Sequence, residues 1–268
     1  MSVGGPEWAE AVATRSDEVV SVLAGLTVAE LSAPSALPGW SRLTIACHLS
    51  YGADALCRMT RDALSGRAVA YYPGGRAVER TASLLPRPGE SPTDVVASLG
   101  VRCGELTALW SALTPAEWDT VVTEPADNPD LGPLPLHRLA LLRLGEVQVH
   151  GEDLALGLRD WSDVFVDSAL TFRLEWLNDR RANHVAFDGD VQGSWLLVAR
   201  DGPRYVVTVR GPEVVSRPAA GGEEAAAVIA GSSRDLLALL LGRPALGGLT
   251  YDGDVALGRA FSEAFPGP

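Results

Sequence analysis

The sequence predicts an α+β chain of two domains: a four-helix bundle over residues 1–158 and a smaller α+β domain over residues 159–268. Two observations carry this. Over the first ~155 residues one order of events occurs twice: a long amphipathic helix, an LTxAE turn, a proline-broken connection and another long helix. After about residue 158 the texture changes to short β-branched runs, glycine turns and short helices. A chain of 268 residues is long enough for two cores.

In EWAEAVATRSDEVVSVLAG (7–25), helical spacing lets Trp8, Val12, Val19, Val22 and Leu23 share a face. In LTVAEL, Thr27 and Glu30 form a capping-box pattern that opens a short helix. SAPSALPGW is an extended connection. Ser41 caps the next long helix, which stops at Gly66. The third long helix starts at about Ser91. LTPAEW repeats the box with Thr114 and Glu117, and Pro115 takes the first helical position. A second proline-rich connection, TEPADNPDLGPLPL, leads into the fourth helix, HRLALLRLGEVQVHGEDL.

In the second part, VDSALTFRLEWLNDRRAN reads as helix. GSWLLVARDG and PRYVVTVRGPEVV form a hairpin around a DGP turn. EEAAAVIAG admits either strand or helix, and VVSRPAAGGEEA is the most loop-like piece. SSRDLLALLLGR is an amphipathic helix with a serine cap and a Gly242 stop. GLTYDGDVALGRAFSEAF reads as a strand, a DGD turn and a last helix.

Composition excludes several function classes. The net charge of −12 argues against nucleic acid and anionic membranes as partners. No apolar run reaches bilayer length and the N-terminus lacks a signal pattern, so the expectation is a cytoplasmic protein. All 22 basic residues are Arg, which excludes Schiff-base and P-loop lysine chemistry. The Arg, Ala and Gly bias suggests a GC-rich, actinobacterial source. Cys47, Cys57 and Cys103 are odd in number and form no CxxC, so they read as half-buried thiols. GxGxxG, GxSxG and HExxH are all absent. The acidic pairs at 152–153 and 223–224 read as solvated faces.

One constellation carries chemistry. Glu146 and His150 stand four residues apart on the fourth helix, hence on one face, a turn apart. Such a pair can chelate one ion, with a third ligand from another helix; among the four histidines His48, near the start of the second long helix, is the best placed. Two imidazoles and a carboxylate suit Zn²⁺ and leave a coordination position open. The competing reading pairs Glu146 with Arg143 or Arg138 and makes His150 a core histidine. Asp153, three residues on, is either an orienting partner of a ligand or a capping residue. His137 and His184 fall outside this set.

At these residues the sequence resembles the mycothiol-dependent maleylpyruvate isomerase family, of the wider DinB-like superfamily of metal-binding four-helix bundles. The resemblance lies in Pro38-Gly39-Trp40 leading to His48, and in Arg143, Glu146, His150, Asp153 and Leu154 of an R-x-x-E-x-x-x-H-x-x-D-L helix. It extends to RDLLALLLGR and Gly253-Asp254 of a sterol-carrier-protein-like C-terminal domain. It implies that His48, Glu146 and His150 hold Zn²⁺ or another divalent metal. Mycothiol is then the thiol cosubstrate, and Arg80 and Arg243 recognise the carboxylate of a small unsaturated or electrophilic acid. The implied reaction is cis–trans isomerisation. The alternatives are a mycothiol S-transferase of detoxification or natural-product biosynthesis, and a non-catalytic metal- or ligand-binding module. The expected partners are a small substrate and a low-molecular-weight thiol, in a monomer or homodimer. Gly145 and Gly151 depart from the family's bulkier residues, which costs helix stability and suggests room for a different ligand.

Overall fold

A computed structural model describes residues 4–129, 131–178 and 191–267. The chain divides into two compact units, Met1–Phe165 and Val166–Pro268, and its class is α+β. Among the described residues no helix is long and apolar enough to cross a membrane.

The first unit is built on α1 (Gly5–Ala24), α2 (Val28–Ser32), α3 (Arg42–Leu64), α4 (Arg76–Ala82), α5 (Pro92–Ser111) and α6 (Leu136–Asp153). The helix starts are set by local side-chain chemistry. Thr27 and Glu30 close a full capping box at α2. The Ser41 hydroxyl accepts from the Thr44 N–H at α3, and Ser91 closes a box with Asp94 at α5. Thr114 and Glu117 make the same reciprocal bonds, yet only a single 3₁₀ turn, Glu117–Asp119, follows. Its Trp118 is buried against Trp110, so the chain turns inward where a helix would have continued.

The four long helices pack as a bundle. α1 lies against α5 and α6, α3 lies against α5, and α3 meets α6 over a narrower contact. Leu23, Ile45, Leu49, Met59, Leu99, Leu139 and Leu144 form the core, with Trp110 donating from Nε1 to Thr60 Oγ1 at 3.0 Å. Because α3 and α6 touch least, side chains that face one another there remain reachable from outside.

Two elements of this unit carry little sequence signal. The YYPGGRAVER stretch contains α4, which begins after Gly75 at φ 89°. Gly74 accommodates the Glu79 carboxylate at its N–H, where a Cβ would sit 2.6 Å from Oε1. Just before the second proline-rich connection, β1 (Val121–Val122) pairs antiparallel with β2 (Leu134–Pro135) near that connection's end.

The second unit carries a five-stranded sheet in the order β5-β4-β3-β6-β7, formed by β3 (Gly193–Ala199), β4 (Arg204–Arg210), β5 (Glu213–Pro218), β6 (Ala227–Gly231) and β7 (Thr250–Gly253). All pairings are antiparallel except β3–β6. The helix α7 (Asp163–Trp176) precedes the sheet; the rest of its expected helical run, from residue 179, lies outside the described residues. EEAAAVIAG resolves as strand, because Ala227, Ile229 and Gly231 alternate inward. The loop-like VVSRP is in fact β5, an edge strand with only Ser216 buried, so it shows no apolar alternation. The Asn178 side chain holds Ser216 by bonds to its N–H and C=O. α8 (Ser233–Leu240) follows the Ser232 cap and ends before Gly242 at φ 64°. The expected last helix is two short ones, α9 (Val255–Arg259) and α10 (Phe261–Ala264). The break brings Phe261 and Phe265 edge-on to the buried Trp195 ring. Burial of that aromatic surface outweighs continuation of one helix.

Candidate metal centre

His48 lies in the second turn of α3, and Glu146 and His150 lie one turn apart on the facing stripe of α6. Their ligand atoms all fall within 4.8 Å of one another. Glu146 Oε2 is 2.6 Å from His48 Nε2 and 3.5 Å from His150 Nε2. Donors at ~2.1 Å from one tetrahedral ion stand ~3.4 Å apart, so the Glu146–His150 spacing already suits an ion, while His48 and Glu146 are at hydrogen-bond distance. The imidazoles are 12% exposed and Glu146 is 45% exposed, so the cluster opens to solvent on the carboxylate side.

The free choice of His150 tautomer is removed by Asp153. Its Oδ2 is 2.9 Å from His150 Nδ1, and the carboxylate, 4% exposed, accepts the Nδ1 proton. The Nε2 lone pair of His150 is thereby directed at the cluster, the arrangement by which outer carboxylates orient metal-binding histidines. Asp153 is thus neither solvated nor a cap, and Glu146 faces the two imidazoles rather than forming an ion pair with Arg143 or Arg138. Asp153→Asn is expected to weaken metal affinity by about 10–100-fold with the fold retained. Chelator competition measures this, and an unchanged affinity would remove Asp153 from the site.

The electrostatics favour metal-ready protonation states. Burial would raise the Glu146 carboxyl, but the hydrogen bond from His48 and the charges of His48, His150 and Arg143 outweigh it and hold it well below the usual carboxylate range. Burial lowers the His48 imidazole against the pull of Glu146. An ionised carboxylate and a neutral imidazole are the forms that bind a metal.

The PGW turn supplies the wall of the cluster. The Trp40 N–H donates to the Leu37 carbonyl across Pro38 and Gly39, and Gly39 takes φ 79°, a conformation open to glycine. The Ala36 N–H bonds the Asp153 carbonyl and Arg42 Nε bonds the Leu154 carbonyl, fastening this turn to the end of α6. Trp40 then stacks on His150 (5.6 Å, 14°) and meets His48 edge-on at 5.4 Å. Arg80, on α4, places its guanidinium 5.5 Å from the Trp40 ring. Its buried Nη1 has no hydrogen-bond partner among the described residues.

His48, Glu146, His150 and Arg80 therefore come together. Arg243 lies in the second unit, after α8, with Nη1 donating to the Leu241 carbonyl at 2.9 Å. His137 sits away from the cluster, beside the Trp118 carbonyl and Asp119; His184 lies outside the described residues. The room expected at Gly151 is filled by protein, since a Cβ there would sit 2.9 Å from Arg15 Nε, while one on Gly145 would make an ordinary contact with Phe165 at 3.6 Å. The three cysteines are buried rather than half-buried, and at the 223–224 pair Glu224 is exposed while Glu223 pairs with Arg217 at the surface. Around the cluster, sequence reading missed Tyr51, Tyr71 and Glu79. Tyr51 stands one turn after His48 and donates from its hydroxyl to Glu79 Oε2 at 2.8 Å, tying α4 to α3.

A helical bundle with three convergent side chains that could hold a metal ion, in a chain that also carries a mixed sheet unit, defines the class: an α+β protein with a candidate metal centre. The family model described as the Mycothiol maleylpyruvate isomerase N-terminal domain matches residues 12–155, more than half of the chain, and the chain belongs to that family. Its fold is similar to that of a solved structure, "Crystal structure of the mycothiol-dependent maleylpyruvate isomerase", with a TM-score of 0.68 and 20% identity over 93% of both chains. A histidine-to-alanine mutant of that enzyme matches with the same TM-score at 19% identity and the same coverage. No curated protein matches the chain.

Proposed function

We propose that this protein is a zinc-dependent, mycothiol-using enzyme that isomerises a small unsaturated acid. The observation that carries this is the convergence of His48, Glu146 and His150, with His150 oriented by Asp153. Family membership supports the thiol and the reaction type. Two neutral imidazoles and one carboxylate would hold a divalent ion with a single negative charge, which would leave it strongly electrophilic. When bound, Zn²⁺ lowers the pKa of a coordinated thiol below ~8.5, so that thiolate is available at neutral pH.

The chain's residues then bind and orient. Trp40 covers the imidazoles. The unpartnered Nη1 of Arg80 offers a cation for the substrate carboxylate. The role of Arg243 rests on the family pattern alone. Burial pushes the Cys47 and Cys57 thiols up to about 11, so neither competes with an added thiol as nucleophile. Addition of the thiolate to a conjugated C=C, rotation about the resulting single bond and elimination would return the thiol and give the other geometric isomer.

Thiol stoichiometry tests this reading. Isomerisation regenerates mycothiol, so a trace should convert many equivalents of substrate. Consumption of one thiol per product would instead establish an S-transferase.

A further inference from the structure

Helix α4 has no apolar anchor. None of its residues is buried, and Val78 is 71% exposed. A helix this short is not stable by itself, and hydrophobic burial does not fix its place here. Yet it carries Arg80, whose guanidinium lies 5.5 Å from the ring of Trp40, the residue that covers both imidazoles. The placement of Arg80 therefore depends on polar contacts.

The residue before it supplies them. Glu79 uses both of its carboxylate oxygens: Oε1 accepts from the Gly74 N–H and Oε2 from the Tyr51 hydroxyl, each at 2.8 Å. Only glycine at position 74 leaves room for the first bond. The second comes from α3, where Tyr51 stands three residues after His48 and its ring stacks on the buried Tyr72 ring (5.4 Å, 22°). Burial and the neighbouring Glu79 carboxylate push the Tyr51 hydroxyl well above its ordinary pKa, so it remains a donor. On the other side of Arg80, Ser83 is buried at the end of α4 and donates from Oγ to the Arg80 carbonyl at 2.7 Å. The backbone of Arg80 is thus held from both sides, and on one of them by the helix that also carries His48.

We propose that Glu79, clamped between Tyr51 and Gly74, is a positioning residue that holds the Arg80 guanidinium at the cleft, so that the Tyr51–Glu79 hydrogen bond sets the affinity for the carboxylate of the bound acid. The clamp rests on the reading of Arg80 as the partner of that carboxylate. Tyr51 and Glu79 act through Arg80 and touch neither the acid nor the metal.

A double-mutant cycle tests this on the full chain loaded with Zn²⁺, without thiol, with fumarate as the probe in a calorimetric titration. Arg80→Ala should raise the Kd by about 10–100-fold, the effect expected for loss of a charge-assisted bond. Tyr51→Phe, which removes one hydroxyl, should raise it by about 3–10-fold, and Glu79→Ala by more. In the Arg80→Ala background Tyr51→Phe should add nothing. Metal content and thermal midpoint should match the wild type, because α4 buries no side chain of its own. A Kd raised by Arg80→Ala but unchanged in Tyr51→Phe and Glu79→Ala overturns the clamp and leaves Arg80 as the partner of the carboxylate. A full Tyr51→Phe effect in the absence of Arg80 also overturns the clamp, since the hydroxyl would then act on its own. An unchanged Kd in Arg80→Ala, or a wild-type protein that does not bind fumarate, overturns the reading of Arg80 and the clamp with it.

Discussion

Glu146→Ala is expected to yield a folded protein that has lost its metal. Glu146 is the sole charged ligand of the cluster and the residue placed between both imidazoles. Its removal leaves two neutral nitrogens, so affinity should fall by more than the ~10–100-fold typical of an outer partner. Elemental analysis should read about one ion per chain in the wild type and close to none in the variant, with the proposed isomerase activity lost in parallel. The fold should change little. The carboxylate is 45% exposed, and an ion pair at such a site contributes under about 1 kcal/mol. Burial already disfavours the charged form of His48, so the substitution strands no buried cation. Retention of a full complement of metal in Glu146→Ala would remove this carboxylate from the site.

The largest loss of stability is expected at Trp110. Its ring is 1% exposed, its Nε1 donates to the buried Thr60 hydroxyl, and it packs against Trp118 at 6.0 Å. It joins α5 to α3, the helix that carries His48. Truncation to alanine opens a large cavity and leaves Thr60 Oγ1 without its donor, and such Trp→Ala changes cost about 3–5 kcal/mol. That is a large share of the ~5–15 kcal/mol that holds a domain folded. Denaturant titration of the first unit's transition should show a lower midpoint with an unchanged slope. A loss under about 1 kcal/mol would mean that Trp110 does not organise this core.

The long helices and the Glu146–His150 pair were legible because their determinants are local. Ser41, Ser91 and Thr27 sit at helix starts with partners three residues on, and a spacing of four on α6 forces a shared face. The contribution of Asp153 was partly legible for the same reason, since it lies three residues from His150. What escaped depends on contacts distant in sequence. Nothing near YYPGGRAVER announces that Glu79 will accept from Tyr51 or that Arg80 will lie over Trp40. Gly151 misled in the opposite sense: the space it frees is occupied by Arg15, whose guanidinium is held by Glu18 and the Leu158 carbonyl. In the second unit, β5 was hidden because an edge strand with one buried residue carries no apolar alternation, and Ser216 is ordered by Asn178 instead.

Cobalt substitution tests the central claim most directly, because Co²⁺ reports spectroscopically on the atoms bound to it. Protein loaded with Co²⁺ should, on addition of mycothiol, develop a sulfur-to-metal charge-transfer band that saturates at one thiol per chain and is absent in His48→Ala. That result would place the thiolate at the open position beside His48, Glu146 and His150. A spectrum unchanged by thiol in a fully loaded protein would contradict the account, and would make the cluster a metal site with no part in activating the thiol.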